Sequence, residues 1–410
     1  MSKQTFVIAG ASLAGAKAAQ ELREHGFDGR VVLIGSEPER PYERPPLTKD
    51  YLRGESEREK AYVHTADFYD KHDIELMTGT TVTAIDPGGS RVTLDGGTEL
   101  SFDKLLLTTG SEPRRIQAPG AELEGVYYMR SLADCDVLRQ RLDGSERVAV
   151  IGAGWIGSEF AASARQLGLE VTVIDPLALP NERIFGAEVG GFYRDVHVRH
   201  GVEMLLGQGV EAFEGDGAVE RVRTSAGRVV ECDFAVVGIG ITPRTALAGD
   251  AGVGVDNGVV TDDHLETSAP GIFAAGDVAS AWHPFYEQHI RVEHWANALN
   301  QGPAAARAML GEDVSFDRIP YFFSDQYDVG MEYSGYATSW DEVVFRGDRD
   351  GGEFVAFWLS DGRVVGGMNV NVWDVNQHVQ ALIRSRRGVD VTALTDPDTS
   401  LESLASETTA

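Results

Sequence analysis

Two glycine-rich turns of one type, each set between an apolar run and a helical pattern, constrain this chain more than anything else in it. The first, Gly10-Ala11-Ser12-Leu13-Ala14-Gly15, follows Thr5-Phe6-Val7-Ile8-Ala9; the second, Gly152-Ala153-Gly154-Trp155-Ile156-Gly157, follows Arg147-Val148-Ala149-Val150-Ile151. In such a strand–turn–helix unit each glycine has its own task. The first makes the tight turn, the second lets a pyrophosphate approach the backbone, and the third lets helix and strand pack closely. The helix N-terminus then offers N–H groups and the positive end of its dipole to the phosphates. An acid at the end of the next strand takes the ribose hydroxyls, and Glu37 and Asp175 each stand about 20 residues past their glycines. One match alone is weak; two, each complete with strand, helix and acid, are not coincidence. The first departs from the pattern at Ser12, which fits if its side chain turns from the phosphates or its hydroxyl bonds them. Otherwise that site is degraded.

The runs between and after these turns set the organisation. A helix over 16–25 and the strand Arg30-Val31-Val32-Leu33-Ile34 complete a βαβ unit of about 30 residues. Lys104-Leu105-Leu106-Leu107, ending in Thr109-Gly110, is a buried parallel strand. A helix over 158–167 and the strand Glu170-Val171-Thr172-Val173-Ile174-Asp175 repeat the unit, which closes with Phe234 through Gly240. Gly271-Ile272-Phe273-Ala274-Ala275-Gly276-Asp277 is one more short buried strand, read as the first domain resuming. Beyond 321, alternating aromatic segments and Ser360-Asp361-Gly362 predict antiparallel hairpins, then a helix over 375–384. The expected fold class is α/β: two Rossmann-like, three-layer ββα dinucleotide-binding domains, one inserted in the other, plus a C-terminal α+β domain. The boundaries are 1–112 and 244–320 for the first domain, 113–243 for the insertion and 321–397 for the third. Residues 398–410 read as a flexible tail.

Composition excludes some classes of function. A net charge of −28 over 410 residues argues against nucleic-acid binding. The start, Met1-Ser2-Lys3-Gln4, shows no charged-then-apolar leader, and no apolar run approaches the ~18 residues of a membrane span. Cys135 and Cys232 are the two cysteines, with no Cys-x-x-Cys pair to ligate a metal or cluster. A cytoplasmic protein without a bound metal, and a monomer, is expected.

Further motifs carry a resemblance. They are Pro41-Tyr42-Glu43-Arg44-Pro45-Pro46-Leu47-Thr48-Lys49, Thr267 through Gly276-Asp277, Arg291-Val292-Glu293-His294-Trp295 with Asn297-Ala298, and Pro320-Tyr321-Phe322-Phe323-Ser324-Asp325-Gln326-Tyr327. From residue 5 to about 397 the chain resembles the FAD-dependent, NADH-using ferredoxin reductases that serve cytochromes P450 and Rieske-type oxygenases. The resemblance implies tightly bound, non-covalent FAD at the first fingerprint (Gly10, Ser12, Leu13, Ala14, Gly15) with Glu37, Arg44, Val82, Thr109, Gly110, Arg114, Asp277 and Trp295. It implies NADH at the second (Gly152, Gly154, Trp155, Ile156, Gly157) with Asp175, Arg183 and Gly240. Asp277 would bond a ribityl hydroxyl, and the Trp295 segment would shield the isoalloxazine. Lys49 would lie near flavin N5, ion-paired to Glu159, where an ammonium stabilises charge arriving with hydride. A buried ammonium needs such a carboxylate partner. Asp175 implies NADH over NADPH, because a carboxylate accepts from a ribose diol and repels a 2′-phosphate.

The implied function is electron transfer from NADH through FAD, singly, to a [2Fe–2S] ferredoxin. Arg384, Arg386 and Arg387 form the best basic cluster for an acidic ferredoxin. Other flavoproteins on this frame stay open: a rubredoxin reductase, an NADH oxidase, a monodehydroascorbate-type reductase, or an NADH-sensing protein of the apoptosis-inducing-factor type.

Overall fold

The strand Thr5–Ala9 is buried from Phe6 to Ala9, as befits a strand in the middle of a sheet. In the computed structural model, which describes residues 4–407, it pairs in parallel with Arg30–Ile34 on one side and Lys104–Leu107 on the other. Ile272–Ala274 and Ile74–Met77 complete the five-stranded parallel sheet at its two edges. Chain order therefore reverses at the first-fingerprint strand, the switch point outside whose carboxyl end open α/β sheets take their ligands. Arg147–Ile151 occupies the same central place in a second five-stranded parallel sheet. Glu170–Asp175 and Glu203–Leu206 lie to one side, and Phe234–Val237 and Val126–Tyr128 to the other.

Both fingerprint helices begin earlier than the apolar pattern predicts, at Leu13 and Trp155, ending at Glu24 and Gln166. The third glycine of each turn thus sits inside the helix's first turn. A Cβ on Gly15 would meet the carbonyl of Gly10 at 2.1 Å, and one on Gly157 that of Gly152 at 1.9 Å. Only hydrogen fits there, and so the helix can start at once.

The chain divides into two compact units: 1–44 with 57–112 and 242–320, and 45–56 with 113–241 and 321–410. Residues 45–56, expected with the first domain, belong to the second unit. There the Ser163 hydroxyl donates to the Thr48 carbonyl at 2.6 Å and the Cys135 thiol to that of Leu47 at 3.2 Å. The C-terminal segment joins the same unit through an aromatic core. Phe185, Phe192 and Tyr193 of the helix Glu182–Arg199 pack with Phe322, Tyr333, Phe354 and Trp358.

That C-terminal part is a five-stranded antiparallel sheet, Tyr321–Gln326, Val329–Gly335, Arg363–Val370, Glu353–Ser360 and Glu342–Asp348 in spatial order. One of its two-residue hairpins pairs Ser360 with Arg363 across Asp361 and Gly362. Both have positive φ (48° and 69°), the turn an Asp-Gly pair favours between twisted strands. The flexible tail expected over 398–410 is corrected for its described part. Leu401–Glu407 is a helix that packs on Asn376–Ser385, burying Leu401 and Ala405. The i,i+4 spacing of those two residues gives it an inward face that its Ser/Glu-rich composition conceals. Arg346 fastens the approach to it, donating to the carbonyls of Asp396 (2.6 Å), Pro397 (3.0 Å) and Thr399 (2.6 Å). Residues 408–410 lie outside the described part. Among the described residues no helix is long and apolar enough to cross a membrane, and no group of His, Cys, Asp and Glu is placed to hold a metal ion.

Candidate functional site

In the first unit the turn at Gly10 has φ +128° and lies so close to Thr108 that a Cβ would sit 2.1 Å from its carbonyl oxygen. Ser12 caps the helix with extended backbone, and its hydroxyl takes no bond from the first turn. The positive helix end is therefore not consumed by a side chain, unlike that of Leu132–Leu142, which Ser131 and Asp134 close with a reciprocal capping box. Gly276 brings the Asp277 segment over Ala14: a Cβ there would lie 3.3 Å from that of Ala14. The Gly276 N–H donates to Gln301 at 2.8 Å, and the Ser111 hydroxyl donates to Asp277 at 2.7 Å.

Glu37, three residues past the strand Arg30–Ile34, is the acid of this unit. Its carboxylate accepts from the Tyr42 hydroxyl at 2.5 Å and faces Arg44 at 3.5 Å. Burial works against the Arg44 charge, but Tyr42, Glu37 and Asp277 outweigh it and hold the guanidinium above its ordinary pKa. One cation thus sits among the acids of both loops. The Trp295 indole N–H donates to Glu43 at 3.2 Å, which orients its ring. Burial pushes His294 down to about 4 despite Asp277, leaving it neutral at pH 7. Thr109 donates to the carbonyl of Arg244 at 3.0 Å, and Gly110 takes φ +66° at the strand's end. Val82, part of the antiparallel sheet Val82–Asp86, Arg91–Leu94 and Glu99–Ser101, packs against this unit's core.

The second unit has the plainer fingerprint. Gly152 turns at φ +106°, and Gly154 caps the helix with nothing within 4 Å of where its Cβ would be. Open space over a helix end that no side chain caps is the shape a pyrophosphate requires. Asp175 is buried, accepting from the N–H of Ala153 (2.6 Å) and of Leu177 (2.7 Å), one on each oxygen. Each oxygen keeps a lone pair for a ribose hydroxyl. Trp155 contributes backbone to the turn while its ring belongs to the aromatic core, 5.2 Å from Phe185 and from Phe322. Ile156 and Arg183 are exposed. Arg114, grouped with the first fingerprint by sequence, lies in this unit, where its N–H donates to the Gly240 carbonyl at 3.0 Å and its guanidinium to that of Ile241 at 3.1 Å.

Also in this unit, Lys49 and Glu159 meet at 2.9 Å, with side chains 12% and 7% exposed. Glu159 Oε2 also accepts from Thr48, and Oε1 from Ser324 at 2.7 Å. The ammonium stands 5.4 Å from the Phe323 ring centre. Thr48, Ser111, Ser324 and Gln301 were not singled out as site residues. The available signal is in Ser324 and Gln326, polar residues on the inward face of Tyr321–Gln326. Arg384, Arg386 and Arg387 are all exposed at the end of Asn376–Ser385. Both cysteines are free thiols and buried, and burial lifts Cys232 to about 12, so neither serves as a nucleophile.

Comparison with known proteins identifies the family. The profile of the pyridine nucleotide-disulphide oxidoreductase family matches residues 4–302, and a reductase C-terminal profile matches 321–405. The ferredoxin–NAD(+) reductase component of the anthranilate 1,2-dioxygenase system of Burkholderia cepacia is 40% identical over 406 residues, covering 98% of this chain and 99% of that protein. Rhodocoxin reductase of Rhodococcus erythropolis is 38% identical over 368 residues, covering 90% and 86%. The crystal structure of the covalent putidaredoxin reductase–putidaredoxin complex superposes with a TM-score of 0.96 at 34% identity, covering 100% of both chains.

Proposed function

Because this chain belongs to the pyridine nucleotide-disulphide oxidoreductase family, among its ferredoxin reductases, we propose that it passes electrons from NADH through FAD to a [2Fe–2S] ferredoxin supplying a P450 or Rieske-type oxygenase. The observation that carries this reading is two open fingerprint turns of one geometry in a single chain. When bound, FAD supplies the conversion of a two-electron hydride donor into single-electron deliveries.

The chain's own residues have separable tasks. The first fingerprint, with Glu37, Arg44 and Asp277, holds the flavin nucleotide, and Trp295, steadied by Glu43, keeps water from its ring. The second fingerprint and Asp175 hold NADH. Lys49 is assigned to the flavin's reacting edge, where its ammonium offsets incoming negative charge, and Glu159 keeps that ammonium in place. The exposed arginines 384, 386 and 387 steer an acidic ferredoxin over a distance that salt screens. Two buried free thiols suit a cytoplasmic setting.

The test is the visible spectrum of the purified holoprotein, bleached with NADH under argon, followed by cytochrome c reduction with and without added ferredoxin. Flavin bands that bleach, with reduction dependent on ferredoxin, support the reading. A protein that refuses FAD on reconstitution overturns it. For docking, a ferredoxin KM indifferent to ionic strength and to R386E/R387E removes the arginines from the account.

A further inference from the structure

Behind the Lys49–Glu159 pair lies a buried file of polar side chains that the hydride step itself does not use. Ser324 donates to Glu159 at 2.7 Å, Gln326 lies 3.3 Å from Ser324, His197 lies 2.9 Å from Gln326, and the Tyr327 hydroxyl lies 3.2 Å from the other ring nitrogen of His197. Ser324, Gln326 and His197 are at most 1% exposed. They come from the strand Tyr321–Gln326 and the helix Glu182–Arg199, and flank an aromatic core where apolar side chains would serve stability equally well.

The protons of this file can be assigned one after another from its inner end. A carboxylate only accepts, so the single hydrogen of Ser324 points to Glu159. Ser324 must then accept, which turns the Gln326 amide N–H toward it and the Gln326 oxygen toward His197. His197 Nε2 must therefore carry the hydrogen, and Nδ1 accepts from Tyr327. Burial pushes His197 down to about 4, in keeping with the neutral ring this order needs. Tyr193 and Asp325 also face Glu159 from the flanking helix and strand, and burial raises the pKa of both. Every hydrogen in the file points inward, toward one carboxylate.

We propose that Ser324, Gln326 and His197 are positioning residues for the redox step: their one-way file of donors fixes the Glu159 carboxylate and, through it, the Lys49 ammonium. This rests on the reading that Lys49 faces the flavin. The decisive variant is Q326E, which keeps the volume but replaces the amide donor by an acceptor, so that the Ser324 hydrogen is drawn away from Glu159. S324A removes only the last link, and it carries the test if Q326E loses FAD.

The measurement is single-turnover reduction of the holoenzyme flavin by NADH in a stopped-flow instrument, with each substitution made in the native chain and in K49M. In the native background each variant should lower the limiting rate roughly tenfold, the scale of one hydrogen bond to a charged group, with the NADH concentration dependence unchanged. In K49M the same substitutions should change the rate less than twofold. An equal loss in both backgrounds, or none in the native one, overturns the proposal while leaving the reductase reading intact. A native holoprotein that NADH fails to bleach overturns both.

Discussion

Replacing Glu159 by glutamine strikes the pair where its energetics are most asymmetric. The native carboxylate takes three donors, Lys49 at 2.9 Å, Ser324 at 2.7 Å and Thr48, in a setting where its own side chain is 7% exposed. Glutamine keeps the volume, but its NH2 faces groups that are themselves donors, and the charge opposite Lys49 is gone. Removing one member of a buried ion pair costs about 3–5 kcal/mol, mainly through the stranded charge. Lys49 is 12% exposed, so some water reaches the ammonium, which places E159Q near about 3 kcal/mol. K49M/E159Q strands no ammonium and should recover most of that loss. The assay is urea unfolding followed by tryptophan fluorescence, since Trp155, Trp340, Trp358 and Trp373 all belong to the unit that holds the pair. An E159Q protein within about 1 kcal/mol of native, or a double variant no more stable than E159Q, would refute the reasoning.

Three further outcomes follow from local geometry. G154A has room for its methyl and an ordinary φ of −76°, so it should fold normally, retain FAD and raise the NADH KM roughly tenfold; G157A, with a Cβ 1.9 Å from a carbonyl, should fail to accumulate as folded protein. If G154A leaves the NADH KM unchanged, the vacant space is not the pyrophosphate's. D175N removes the charge that repels a 2′-phosphate, and should cut the NADH-over-NADPH ratio of kcat/KM by roughly tenfold; an unchanged ratio sinks that assignment. His197, lowered by burial from its ordinary 6.5 to about 4, refuses a proton that the unfolded chain accepts. Stability is therefore lost as pH falls through that window, by about 3 kcal/mol at about 1.4 kcal/mol per pH unit. H197Q should lessen the slope of denaturation midpoint against pH between 6.5 and 4. Part of the slope remains, because His294 and His64 are lowered to about 4 as well, and a slope identical to native would contradict the assignment.

The central strands of both parallel sheets were legible in the sequence because they are buried on both faces and write themselves as unbroken apolar runs, Val31 to Ile34 and Val148 to Ile151 among them, whereas the partly exposed strands Ile74–Met77, Val126–Tyr128 and Glu203–Leu206 carry only shorter or broken ones. The fingerprint glycines were legible for the complementary reason that no other residue fits at Gly15 or Gly157. What escaped lies in contacts between distant segments. Nothing local in Pro45-Pro46-Leu47-Thr48 announces that Thr48 bonds a glutamate 111 residues away, and the Lys49–Glu159 pair was reached through resemblance alone. His197 lies on Glu182–Arg199, a helix kinked at Gly186 that the sequence pattern did not announce, and only the register of Ser324 and Gln326 reveals what it meets. The bonds that Arg114 makes to the carbonyls of Gly240 and Ile241, about 127 residues away, likewise have no local signal.

The end of the chain offers a practical warning. Someone trimming by composition would cut after residue 397, and would thereby remove the carbonyl of Thr399 from the grip of Arg346, along with the apolar cover that Leu401 and Ala405 lay on the helix Asn376–Ser385. Arg384 sits on that helix and Arg386 caps it. A shortened protein with weak ferredoxin turnover would then look like proof of a docking contact in the missing residues, when it had only lost the scaffolding beneath the arginines.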